Sequence, residues 1–214
     1  MVELATSKAE FQRALEERHG AELQKKFSNS TVAVCGLGGL GSNIAVALAR
    51  AGIGKLILID FDRVEITNLN RQQYKAGQIG CYKTDALSEN IAEIAPYITL
   101  EVHNVRLSEK NIEVYLKNTD VICEAFDDPE CKAMLVNTVL ENLPDKYLVA
   151  ASGMAGLGSA NAIRTRRVSG KFYLCGDGES DVTDGTGLIS TRVMLCAAHQ
   201  AHTALRIISG EFEA

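Results

Sequence analysis

Short apolar runs alternate with longer stretches of helical period along most of this chain, and glycine or proline marks the joins. That alternation predicts parallel strands crossed by helices. Val32 to Cys35 reads as a buried strand and Leu40 to Ala51 as a helix with small residues toward a sheet. Lys55 to Asp60 follows as a second strand, after Gly52 and Gly54. Lys83 to Ile94 carries Leu87, Ile91 and Ile94 at helical spacing and stops before Pro96, after which Ile98, Leu100 and Val102 alternate as a strand. Asn111 to Lys117 predicts a short helix and Val121 to Ala125 a strand. Asp127 and Asp128 then open a helix running from Pro129 to Leu143, and Tyr147 to Ala151 completes the parallel set. Beyond it the texture changes. Gly153 to Gly158 reads as a loop, Asn161 to Val168 and Lys171 to Leu174 as shorter antiparallel strands, Gly176 to Gly187 as an acidic flexible loop, and Ile189 to Ser209 as a closing helix. The expected fold is therefore α/β and Rossmann-like: a largely parallel sheet, helices on both faces, and antiparallel strands near the C-terminus.

Length and composition narrow this picture. The 214 residues fit one domain, which we place at 29–214 behind an N-terminal helical segment at 1–28. Residues Met1 to Ser28 are charged and lack an apolar signal core, and no apolar run reaches the length of a membrane span, so a cytoplasmic protein without membrane attachment is expected. The formal net charge of -5 leaves no broad basic face for nucleic acid. Six cysteines (Cys35, Cys81, Cys123, Cys131, Cys175, Cys196) form no C-x-x-C pair, so structural zinc is not expected.

Candidate chemistry begins at Gly36-Leu37-Gly38-Gly39-Leu40-Gly41-Ser42. Gly36, Gly38 and Gly41 leave a strand and open a helix, where glycine permits a tight turn and free N–H groups face an anion. Asp60 lies 19 residues after Gly41 at the end of the second strand, a position from which a carboxylate accepts hydrogen bonds from ribose hydroxyls. The turn and the acidic residue together predict an adenine nucleotide. A similar string at Gly153 to Ser159 has no helix pattern behind it and reads as an ordinary loop.

The string Asp60-Phe61-Asp62 through Asn68-Leu69-Asn70-Arg71-Gln72, with Lys83, decides between nucleotide reactions. A nicotinamide oxidoreductase has little use for two cations beyond the second strand. Attack by a carboxylate on an α-phosphate builds negative charge on the phosphorus oxygens and on departing pyrophosphate, which Arg71 and Lys83 would stabilise, with Asn68 donating an amide hydrogen bond. Asp127 and Asp128, at the carboxyl edge of the sheet, are candidates for Mg2+, which needs only one or two carboxylates beside phosphate oxygens and water. One Asp of the two can instead serve as a helix N-cap.

From Val34 through Lys83, with Asp127 beyond, these motifs resemble the ThiF/MoeB/HesA adenylyltransferases of ubiquitin-activating type, most nearly the short, divergent ThiF-like proteins of thiamine biosynthesis. The D-x-D and N-L-x-R-Q strings are its most specific elements, joined by Ala150-Ala151-Ser152-Gly153-Met154-Ala155-Gly156. The resemblance implies ATP-dependent adenylation of the C-terminal glycine of a ubiquitin-like sulfur carrier ending in Gly-Gly, such as ThiS. A molybdopterin-type carrier is the alternative within this reading, and a NAD-binding Rossmann oxidoreductase the alternative outside it. It also implies Gly38, Gly39 and Gly41 against the ATP phosphates, Asp60 on the ribose, Asn68, Arg71 and Lys83 on the phosphates, and Asp127 on magnesium. Asp62 and Asp128 complete the candidate nucleotide site.

Three expectations concern partners. Relatives supply an arginine across a homodimer, and Arg13 and Arg18 are the candidates here. Some link the carrier to a late cysteine, for which Cys175 is best placed, although acidic neighbours at Asp177, Glu179 and Asp181 would raise its pKa. A sulfur donor is a further possible partner. Cys196, His199 and His202 drift around the last helix and read as packing rather than a metal site, and His103 reads as structural.

Overall fold

The computed structural model describes residues 6–185 and 187–214; the expected helical residues Met1 to Ala5 lie outside it. Among the described residues seven strands form one sheet: β1 (Thr31–Cys35), β2 (Lys55–Asp60), β3 (Thr99–Asn104), β4 (Val121–Glu124), β5 (Tyr147–Ala151), β6 (Arg164–Ser169) and β7 (Phe172–Gly176). Their spatial order is β3-β2-β1-β4-β5-β7-β6. Every neighbouring pair is parallel except β6 with β7. The second late strand, expected to be antiparallel, thus joins the parallel set against β5, and only the edge strand β6 reverses. Asn161 is not in a strand, because residues Ala160–Ala162 form a 3-10 turn ahead of β6.

Among the described residues there are seven α-helices: α1 (Lys8–His19), α2 (Ala21–Ser28), α3 (Gly39–Arg50), α4 (Lys83–Ile94), α5 (Ile112–Leu116), α6 (Pro129–Asn142) and α7 (Ser190–Ser209). Side chains alternate along a strand, so each central strand feeds two cores. Val32, Val34, Leu56 and Leu58 face a cluster built with α3, α4 and α7, including Ile44, Leu87 and Val193. Ala33, Cys35, Ile57 and Ile59 face a second cluster with α5 and α6, including Ile112, Leu116 and Leu135. Strands buried on both sides read as continuous apolar runs, which is why β1, β2 and β4 were visible in the chain. Each fully buried Leu or Ile contributes about 1.5–3 kcal/mol.

α1 behaves differently. It is closed by a capping box, in which Ser7 accepts from the N–H of Glu10 and Glu10 accepts from Ser7, yet it buries none of its residues. No described helix is long and apolar enough to cross a membrane.

β1 lies between β2 and β4, and the chain leaves it for β2 on one side before returning to β4 on the other. That reversal opens a crevice at the carboxyl ends of β1 and β4, where ligands of open α/β sheets bind.

Candidate functional site

A cleft of about 420 Å³ occupies this crevice, and it gathers residues from the turns after β1, β2, β3 and β4. Gly36 sits at φ +90°, and a Cβ there would lie 2.8 Å from the Ala125 carbonyl oxygen. At Gly41 a Cβ would fall 1.8 Å from the Gly36 carbonyl oxygen, so only glycine allows α3 to start this close to β1. The first main-chain bond of α3 runs from the Ser42 N–H to the Gly38 carbonyl at 3.0 Å, which leaves Gly39, Leu40 and Gly41 with no helix partner for their N–H groups. Gly36, Gly38 and Gly39 line the cleft; Gly41 sits behind them, where it shapes the turn.

Asp60 is buried at the end of β2 and braces two loops. One carboxylate oxygen accepts from the Leu37 N–H at 2.6 Å and the other from the Asp62 N–H at 2.7 Å. Lys83, at the start of α4, is also buried, and its ammonium meets the half-exposed Asp62 carboxylate at 2.8 Å. The Lys83 N–H in turn donates to the Asp62 carbonyl. Both side chains line the cleft, so the buried lysine stands beside a carboxylate at a point where a phosphate would also reach it.

Arg71 is positioned by α3. Asn43 donates to the Arg71 carbonyl at 3.0 Å, and the Ser42 hydroxyl accepts from the Gln73 N–H at 3.1 Å. The arginine stem crosses Gly39, where a Cβ would approach its Cγ and Cδ at 3.4 Å. One guanidinium nitrogen donates to the Thr67 carbonyl and to Asn70 Oδ1, but the buried Nε has no partner. The neighbouring Gln72 is buried with Oε1 likewise unsatisfied. Buried polar atoms are ordinarily paired, and two orphans beside one cleft fit a site for a polar ligand. Asn68 accepts from the Glu65 N–H through Oδ1 at 3.0 Å, which leaves its amide N–H groups for the cleft.

The two aspartates after β4 part ways. Asp128 is the N-cap of α6 and accepts from the Cys131 N–H at 2.7 Å, a bond that lowers its pKa. Asp127 is exposed at the cleft and makes no ion pair among the described residues, so it is the better placed of the two for a cation. Beneath them lies Glu124, fully buried. Its carboxylate accepts from the Phe126 N–H at 2.8 Å and pairs with Lys132 at 2.5 Å. Gln200 on α7 donates to the Glu124 carbonyl. Burial raises the Glu124 pKa, opposed by Lys132 and the Phe126 N–H. Sequence reasoning passed over Glu124, which sits inside an apolar strand.

It also passed over Arg192. This buried residue in the first turn of α7 donates to the carbonyls of Ala155, Gly158 and Ser159 and pairs with Asp177. The expected solvated loop is therefore anchored at Asp177, which also accepts from the N–H groups of Glu179 and Ser180. Burial pushes the Asp177 carboxyl up, but those N–H groups, the Ser180 hydroxyl and Arg192 outweigh it and hold the pKa at about 2. Because this lies below the ordinary value of 3.8, the ionised group stabilises the fold above that pH, and the contribution is lost as pH falls toward 2. Acid unfolding should accordingly gain a component between pH 4 and 2 that Asp177→Asn removes, as read by circular dichroism against pH.

Cys175 does not meet the expectation of a reactive thiol. It is fully buried between β6 and α7, near Thr165 and Thr203 hydroxyls, and burial raises its pKa. Cys131 lines the cleft instead, with Arg106 donating to its sulfur at 3.8 Å. Arg13 and Arg18 are exposed on α1 and neither lines the cleft of its own chain. His103 pairs with Glu101 and packs on Tyr115, a structural role. No group of three or more His, Cys, Asp or Glu side chains among the described residues is placed to hold a metal ion.

A model of the ThiF family matches residues 11–214, and the chain belongs to that family. It is similar to adenylyltransferase and sulfurtransferase MOCS3 of Caenorhabditis briggsae, with 36% identity over 137 residues, 63% of this chain and 33% of that protein. Ubiquitin-like modifier-activating enzyme 5 of the same species is 42% identical over 93 residues, 43% of this chain and 22% of that protein. The chain thus spans well under half the length of these relatives. Among solved structures, Escherichia coli tRNA N6-threonylcarbamoyladenosine dehydratase, TcdA, in complex with ATP superposes with a TM-score of 0.85. The match covers 97% of this chain and 98% of that one at 24% identity, and shows a shared fold.

Proposed function

We propose that this chain uses ATP to adenylate the C-terminal glycine carboxylate of a ubiquitin-like sulfur carrier. The observation that carries the reading is the convergence on one cleft of a glycine-framed helix start, the unsatisfied Arg71 Nε, the buried Lys83 and the open carboxylate of Asp127. The names of the two relatives support an activating enzyme for a ubiquitin-like partner in general better than the thiamine carrier in particular.

In this reading the triphosphate lies along the start of α3, where Gly38, Gly39 and Leu40 present N–H groups to it. Asp60 faces the ribose. Arg71 and Lys83 flank the phosphates, the first as a planar fork and the second as a point charge. The attacking carboxylate is already ionised at neutral pH and needs no general base. Its oxygen bonds to the α-phosphorus as the bond to the β-phosphate bridging oxygen breaks, and pyrophosphate departs. Charge grows on the phosphoryl oxygens during that step, and fixed donors stabilise it more than the ground state. The donor set fits magnesium: Asp127 would supply one carboxylate, with phosphate oxygens and water completing the shell, and the ion would neutralise phosphate charge. A second subunit, offering an arginine from its own α1, and a sulfur donor acting after adenylation complete the proposal.

Radiolabelled ATP–pyrophosphate exchange tests it, with thiamine-type and molybdopterin-type carriers ending in Gly-Gly supplied in separate arms. Exchange that requires one carrier and stops when its terminal glycine is removed is the expected result. Absence of exchange with every such carrier, from a chain that binds ATP, would sink the proposal.

A further inference from the structure

Six asparagine and glutamine residues are buried among the described residues, and five of them are anchored through their side-chain amides. Gln24, Gln78 and Gln200 donate from Nε2 to main-chain carbonyls at 3.1, 3.1 and 2.8 Å, and Asn43 and Asn90 donate from Nδ2 at 2.7 and 2.8 Å. Gln72 is the sixth. It is 7% exposed, its Oε1 is shut off from solvent with no partner, and its Nε2 makes no hydrogen bond to any described residue. Burying an amide without a bond is costly, and folding ordinarily avoids it.

The main chain that carries this side chain is held on both sides. The Gln72 N–H donates to the Asn68 carbonyl at 3.0 Å, the Gln73 N–H donates to the Ser42 hydroxyl at 3.1 Å, and Gln73 Nε2 donates to Asn43 Oδ1 at 2.6 Å. The unbonded amide is therefore fixed in place by its backbone. Nε2 lies 3.8 Å from the point a Cβ on Gly38 would occupy, and Gln72 and Gly38 both line the nucleotide cleft. Along the same stretch stand the main-chain N–H groups of Gly39 and Leu40, which have no helix partner, and the side chain of Arg71. One more N–H in such a row of donors meets an anion at a helix N-terminus.

We propose that Gln72 is a direct phosphate contact of the nucleotide. Its Nε2 donates to a phosphate oxygen lying against Gly38, and the unpaired Oε1 is the cost in stability of holding that donor toward the cleft. The inference rests on the nucleotide reading above and adds to it a residue whose effects on binding and on folding are opposed, as at sites where function is kept against stability. A glutamine serving only to fill space would be replaced without loss by methionine, which has a similar length and no polar atom to leave unpaired.

Calorimetry on the full chain with ATP and with adenosine, both in magnesium chloride, tests this. Gln72→Met is expected to bind ATP about tenfold more weakly than the parent, as for one lost hydrogen bond to a charged group, while adenosine affinity stays within about twofold. In the same variant the thermal midpoint without nucleotide is expected to rise by about 2–4 °C, because a buried unpaired carbonyl is gone. Gln72→Glu keeps the shape and puts an oxygen in place of the donor, so its loss of ATP affinity is expected to equal or exceed that of the methionine variant. A folded Gln72→Met that binds ATP within about threefold of the parent would overturn the proposal. A lowered midpoint with equal losses for ATP and adenosine would also overturn it, by assigning Gln72 to packing. A parent chain that binds no ATP would overturn the nucleotide reading itself, and this contact with it.

Discussion

Replacing Arg71 with alanine is expected to slow carrier-dependent ATP–pyrophosphate exchange by about 10²–10³-fold, the loss typical of one fixed donor at a charge-building transition state. The reasoning is geometric. The Arg71 stem lies over Gly39, the loop that carries it is tied to α3 by Asn43 and Ser42, and its Nε is buried without a partner. Such a group is preorganised, so it needs no reorientation when charge appears. Arg71→Lys should recover only part of the rate, because an ammonium lacks the planar fork. Unchanged ATP binding by calorimetry alongside the fall in exchange would locate the loss in the chemical step. Exchange within threefold of the parent would remove Arg71 from the mechanism.

Glu124→Ala should destabilise the fold by about 3–5 kcal/mol, because it leaves Lys132 without its buried counter-charge and the Phe126 N–H without an acceptor. For a chain of this size that corresponds to a midpoint lower by roughly 6–20 °C. The double change Glu124→Gln with Lys132→Met should recover most of the loss, since it removes both charges and keeps an acceptor near Phe126. Thermal unfolding followed by circular dichroism separates these outcomes. A single variant as stable as the parent would show that the pair is not needed to hold the turn from β4 to Asp127.

What the chain revealed by inspection was whatever depends on near neighbours. The middles of β1, β2 and β4 are apolar because both faces are covered, and the glycine turn is dictated by contacts at Gly36 and Gly41 that leave no room for a side chain. What depends on distant partners was hidden. Glu124 looks anomalous in a strand until Lys132 arrives from the next helix, and Asp177 looks solvated until Arg192 reaches it from α7. Cys175 was attractive by its place in the order of the chain, but α7 and β6 close over it. Asp127 and Asp128 are alike in sequence and separate only when the cap of α6 claims the second.

The brace at Asp60 has a consequence for how this site can be dissected. One carboxylate holds the main chain at both Leu37 and Asp62, so the loop bearing the glycines and the loop facing the cations share a single hinge pin. Removing it, as in Asp60→Asn, perturbs that frame for any bound nucleotide, whatever its sugar carries. A direct contact to the 2′-hydroxyl would show instead as a difference between ATP and 2′-deoxyATP that the variant erases. The loss common to both nucleotides measures the frame, and the vanished difference measures the sugar.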